Sequence, residues 1–390
     1  MLRKMPILLL LILFLIGIIH SWIPLTAQSI LYGISLSLKS VIIFFLPFLI
    51  FGLLFNTAIR LAKQASTWII GLLIAICLSN LLSTLLSYTV GIFTYSLDLT
   101  MTLPSEENAL APLWTFSVPK LIDNSIAMLG GLGLGLILRW IRPSLAEKII
   151  IHVEKGLALL LKIFLYIIPF FIVGFAVKMM HDGILTLIVQ KYALIFAIVS
   201  GAVFSYIGCI YFFASHCQKN IFTKALRNML PAVLAGFGSM SSVAAMPLTI
   251  LGTEKNSKNS DIAKSVIPVT VNIHLIGDCF AIPIFAFAIL KSFGVSEPSF
   301  ISYLVFALYF VCAKFSVAAV PGGGILVMLS VLEAYLGFNG EMLSLITALY
   351  ILFDPFITAA NVLGNGGFAM GISQFSKEKA LNELKKTDAI

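Results

Sequence analysis

The chain has 390 residues, 60% of them hydrophobic and 11% charged, against about 45–50% and about 25% in ordinary soluble domains; this excludes a soluble globular fold. A hydrocarbon core about 30 Å thick takes about 20 apolar residues per helix, so the chain supplies on the order of eight spans and leaves no room for a sizeable soluble domain. The net charge of +8 sits on Lys and Arg scattered between apolar runs, which excludes a nucleic-acid-binding face and reads as a set of topology signals.

The first apolar run, residues 5–24, follows Arg3 and Lys4. No small-residue cleavage site follows it, so it reads as a retained span rather than a signal peptide. Runs at 39–59 and 68–97 come next, and then the polar stretch Asp98–Asp123, with Glu106 and Glu107, which reads as an external loop. Further runs lie at 125–141, 156–180 and 190–215. Placing the basic clusters inside puts Arg3 and Lys4, Arg60 and Lys63, Arg139 to Lys148, Lys219 to Arg227 and the tail lysines on one side. Both termini then face the cytoplasm.

The run at 228–252 has basic residues at both ends, Lys224 and Arg227 before it, Lys255, Lys258 and Lys264 after it. A re-entrant hairpin entering and leaving on the inner side fits this, with its turn in the segment Gly238-Ser239-Met240-Ser241-Ser242. Residues 265–292 read as one full span. The run at 298–338 is twice the length of one helix and is broken by Pro321-Gly322-Gly323-Gly324, which predicts a second hairpin from the outer side. Broken helices at membrane depth need protein or a water-lined cavity to satisfy their backbone groups. Two of them predict a binding site near the midplane.

Ionisable groups inside spans are costly, so each is a functional candidate. In the last run, 342–375, Asp354, Thr358, Asn361 and Asn365 recur on one helical face. Asn272, His274 and Asp278 sit in the span before the second hairpin; the four-residue spacing of the last two puts them on one face, as a proton relay, a cation site or simply a buried pair. Lys314 admits two readings, a side chain snorkelling to the surface or a functional group. Glu333 falls near the outer interface and reads as solvated.

Hairpin tips present free backbone N–H groups at helix N-termini, which attract carboxylates. Ser241 and Ser242 add hydroxyls, and Asp354 adds the opposite charge, so the site suits a zwitterion such as an amino acid. A hydrolase built on the serines, His274 and Asp278 fits poorly, because the last two lie one turn apart and the serines lack a GxSxG elbow. A channel is the other alternative. Five scattered cysteines suggest neither disulfides nor a metal centre.

Two opposed hairpins, the serine turn followed by Met246-Pro247-Leu248-Thr249, the turn Val320-Pro321-Gly322-Gly323-Gly324, and the stripe Asp354/Thr358/Asn361 together resemble the dicarboxylate/amino acid:cation symporter family. The resemblance is specific from about Pro231 onward. It implies an all-α polytopic membrane protein with eight transmembrane helices and two re-entrant hairpins, working as an elevator, without organic cofactor and as a homotrimer in the cell membrane. It implies scaffold spans 1 and 2 in residues 1–67, span 3 of the transport domain in 68–97, an external loop in 98–124 and scaffold spans 4 and 5 in 125–185. The rest of the transport domain falls in 186–375, with a cytoplasmic tail in 376–390. By the resemblance, Asp354 holds the substrate ammonium, Asn361 its carboxylate, and Ser241, Ser242 and the turn Val320 to Gly323 close over it, with Thr358 beside them.

The departures from the family pattern bear on substrate and ion. Members that take acidic substrates carry an arginine where this chain has Ile357, so a neutral or cationic substrate is expected over an acidic one. The family's sodium-binding aspartates appear as Ile276 and Asn365, which weakens the case for several sodium ions and brings proton coupling forward. The resemblance leaves a sodium site at His274, Asn361 and Asn365 as one option. It also makes Lys314 a tethered substitute for a cation and places Asp278 beside the substrate side chain, to bind a cationic group or to carry a proton with His274. An uncoupled exchanger is the alternative within the family.

Overall fold

The computed structural model describes residues 15–63, 67–97, 109–119, 121–122, 124–182, 184–257, 260–315, 317 and 323–387. These residues form helices and no strand. After a helical segment at 15–19 and a 3-10 turn at His20–Trp22, the helices are α1 (Leu25–Lys63), α2 (Thr67–Ser96), α3 (Asn124–Ile141), α4 (Pro143–His181), α5 (Ile184–Ala214) and α6 (Lys219–Ser239). There follow α7 (Ser242–Asn256), α8 (Ser260–Thr270), α9 (Ile276–Ser292), α10 (Phe300–Lys314), α11 (Gly323–Leu336) and α12 (Gly340–Thr387). Within them Ile70–Ser96, Tyr192–Ala214 and Gly340–Gln374 are each long and apolar enough to cross a membrane.

α1 and α4 are each 39 residues long, longer than the apolar runs that predict them. Both extend N-terminally beyond those runs. Pro143 opens α4, where its missing N–H costs nothing. The loop residues described between α2 and α3 lie along α1: the Leu113 amide donates to the Ser29 carbonyl at 3.2 Å and the Val118 amide to Ser40 Oγ at 2.6 Å.

Packing falls into two groups. α1 packs along α3 and α4, while α2 packs on α9 and α10, and α12 packs on α5, α6, α7, α8 and α9. Contacts between the two groups are sparse, and one of them is polar: Lys39 of α1 donates to the Gly340 carbonyl at 2.7 Å and to Ser344 Oγ at 3.0 Å, both on the first turns of α12.

Two features of the chain set up the site. α6 and α7 form a helical hairpin whose turn is Met240-Ser241, inside the serine-rich segment; Met240 takes a left-handed conformation (φ 49°) and Ser241 caps α7 by accepting from the Ala244 amide at 3.3 Å. The second feature corrects the single span expected over 265–292. The helix stops at Thr270 and restarts at Ile276. Asn80 of α2 holds the interruption open: its Nδ2 donates to the Ile273 carbonyl at 2.7 Å and its Oδ1 accepts from the Leu275 amide at 3.2 Å. Backbone groups that a continuous helix would pair internally are thus paired across to a neighbouring helix. α9 beyond the break is buried on every side, except at Lys291.

Candidate functional site

The helix break, the first hairpin's turn and the start of α11 converge on α12. Between them lies a cavity with about 330 Å³ of space between atoms, its mouth included. Ser241 and Ser242 reach it from the first hairpin, Asn272 and Leu275 from the break, Asp278 from α9, Gly324 from α11, and Tyr350, Asp354, Thr358 and Asn361 from α12. Of the residues predicted to bind substrate, the described side chains all face this one cavity. Val320, Pro321 and Gly322 lie outside the described residues; Gly323 opens α11.

Of the four residues in the α12 stripe, Asp354, Thr358 and Asn361 line the cavity, whereas Asn365 turns to His274. Asp354 is buried and accepts from the Thr358 hydroxyl at 3.0 Å. Asn361 is used at both ends: its Oδ1 accepts from the Gly277 amide at 2.8 Å and its Nδ2 donates to Asp278 Oδ2 at 2.7 Å. The Gly277 amide belongs to the first turn of α9, so Asn361 both caps that helix and orients the carboxylate of its neighbour.

Asp278 is the centre of a buried cluster. The Tyr350 hydroxyl donates to its Oδ1 at 2.7 Å, and the Lys314 ammonium lies 3.6 Å from the same oxygen. Lys314 is 0% exposed and sits 4.3 Å from the centre of the Phe310 ring. The snorkelling reading of Lys314 is therefore corrected: its stem turns inward because a buried carboxylate lies at its end. A side chain at Gly324 would collide with Asp278 Oδ1 and the Tyr350 hydroxyl, so glycine there lets the start of α11 close on the cluster.

His274 and Asp278 do not share a face. His274 lies in the break, outside any helix, and its ring points away from Asp278. Nδ1 is 2.8 Å from Asn365 Oδ1, Nε2 is 2.8 Å from Ser79 Oγ, and the ring packs on Phe368 at 4.3 Å. With the Asn365 carbonyl accepting from Nδ1–H, Nε2 is left to accept from the Ser79 hydroxyl. Both nitrogens are engaged, which leaves no lone pair for an ion. The six residues read as ion-coupling thus divide: Asp278, Asn361 and Lys314 in one cluster, His274 and Asn365 in another, and Asn272 on the cavity wall, its buried Oδ1 without a hydrogen-bond partner among the described residues. No cluster of three or more His, Cys, Asp or Glu suited to a metal occurs among the described residues.

Ile357 does not face the cavity. It lines a separate, narrow apolar cleft with Phe196, Phe353 and Phe356. Among the described residues no basic side chain lines the cavity itself. Glu333 is exposed, as read.

Tyr350 and Asn80 escaped the sequence reading. Tyr350 stands four residues before Asp354, so extending the stripe by one turn reaches it. Asn80 belongs to a buried polar stripe on α2, with Ser83, Thr84 and Ser87, whose helical spacing was the available signal.

The profile of the Sodium:dicarboxylate symporter family matches residues 7–375. Excitatory amino acid transporter 3 of Mus musculus is 32% identical over 168 residues, 43% of this chain and 31% of that protein. The rabbit (Oryctolagus cuniculus) counterpart is 32% identical over 170 residues, with the same shares of 43% and 31%. An excitatory amino acid transporter of Onchocerca volvulus is 31% identical over 153 residues, 39% of this chain and 31% of its own length. The similarity thus spans about a third of the length of these relatives.

Proposed function

This chain belongs to the Sodium:dicarboxylate symporter family, and on that premise we propose that it is a secondary active transporter carrying an amino acid across a membrane together with a cation. The family and the relatives are transporters by name, not enzymes. The ligand is an amino acid without a second carboxylate. Its ammonium group pairs with Asp354 and its carboxylate meets the N-termini of α7 and α11 and the hydroxyls of Ser241 and Ser242. The observation that carries this reading is the single cavity in which Asp354, Ser242, Gly324 and Asn361 meet. The absence of a basic residue from its described wall argues against a dicarboxylate.

The elevator reading takes support from the two packing groups. α1, α3 and α4, with the first run, form the scaffold; α2 and α5 to α12 move as one body around the cavity. Eight spans with two hairpins, both termini in the cytoplasm and a trimer of scaffolds complete the proposal.

Uptake into proteoliposomes under separately imposed sodium and proton gradients tests it. Concentrative uptake of a neutral amino acid driven by one of the two gradients is expected. Equal uptake with neither gradient, or current without saturation, would favour an uncoupled exchanger or a channel instead.

A further inference from the structure

The described cavity wall holds two carboxylates, Asp278 and Asp354, and no basic side chain. A carboxylate this deep in the protein is costly unless it is paired. The Lys314 ammonium is the charge paired with Asp278. It lies 3.6 Å from Asp278 Oδ1, is fully buried, and has no hydrogen-bond acceptor in range among the described residues. The charge of one carboxylate and the Phe310 ring beneath it hold the ammonium in place. Asp278 is fixed in turn by the Tyr350 hydroxyl and the Asn361 amide, which occupy one oxygen each. Both donors belong to α12, whereas Lys314 is the last residue of α10 and reaches Asp278 at the start of α9.

We infer that Lys314 is a built-in counter-cation of the site: its ammonium fills the place beside Asp278 that a small inorganic cation would otherwise take. Lys314 is absent from the cavity wall, so its removal opens a space of ammonium size behind Asp278 rather than room for a ligand side chain. A hard monovalent cation such as sodium, which favours carboxylate oxygen, suits that space. The inference is independent of the ligand assigned to the cavity, because the unliganded chain reports on it.

The test is the thermal unfolding midpoint of the purified full chain without amino acid, titrated with NaCl against choline chloride at equal ionic strength. Lys314→Met should acquire a saturable NaCl-specific rise in midpoint larger than that of the unaltered protein. Lys314→Met combined with Asp278→Asn should lose that added rise while staying folded, since the carboxylate and the ammonium are removed together. A Lys314→Met protein with the unaltered salt response would overturn the inference. So would a double variant that keeps the added rise, or a single variant unfolded at every NaCl concentration while the double variant folds.

Discussion

Asn80 grips the backbone on both sides of His274, donating to the Ile273 carbonyl at 2.7 Å and accepting from the Leu275 amide at 3.2 Å. The cavity exists because this segment is not helical, and the segment is not helical because an amide on another helix replaces its internal bonds. Asn80→Leu leaves two buried backbone groups unpaired, at about 1–3 kcal/mol each. We expect a lower thermal midpoint and lost ligand binding, with Asn80→Asp intermediate because it keeps the acceptor. Unchanged binding by a folded Asn80→Leu chain would show that the break stands without it.

Gly324 permits the close approach of α11 to Asp278 and Tyr350. Gly324→Ala should fold and yet lose about tenfold or more in ligand affinity, since a Cβ forces the start of α11 back from the cluster. Gly371→Ala, where a Cβ meets nothing within 4 Å, is the control and should bind normally. Equal affinities in isothermal titration would contradict the closure of α11 on this cluster.

Lys39 joins α1 to Gly340 and Ser344 at the start of α12. At 1.5 Å per residue, Gly340 is about 21 Å along that helix from Asp354, too far to touch a ligand there. If α12 moves past α1 during transport, this contact must break in each cycle. Lys39→Met should raise the initial uptake rate several-fold and leave equilibrium affinity unchanged. A parallel change in affinity would tie Lys39 to the binding site instead.

The parts of the site readable in the sequence are those set by local pattern. Matching basic flanks place a hairpin turn near Ser241, and the spacing of Asp354, Thr358 and Asn361 puts them on one face of α12. The parts that escaped depend on distant partners. No proline or glycine lies between Val271 and Leu275 to announce the break; its cause is Asn80, nearly 200 residues earlier. A continuous helix would have kept His274 and Asp278 together, and the interruption sends one to Ser79 and Asn365 and the other to Tyr350 and Lys314. For Lys314 the sequence left snorkelling and a functional role side by side, because the carboxylate that draws it inward belongs to another helix.

Equilibrium binding of a panel of amino acids to the purified chain, alongside Asp354→Asn, bears most directly on where the ligand sits. The unaltered protein should bind a neutral amino acid more tightly than aspartate or glutamate. A charge-assisted hydrogen bond contributes about 1.5–3 kcal/mol, so Asp354→Asn should weaken that binding by about 10-fold to 100-fold with its fold intact. A folded Asp354→Asn protein with full affinity, or tight aspartate binding by the unaltered chain, would contradict the assignment of this cavity to a zwitterion held by Asp354.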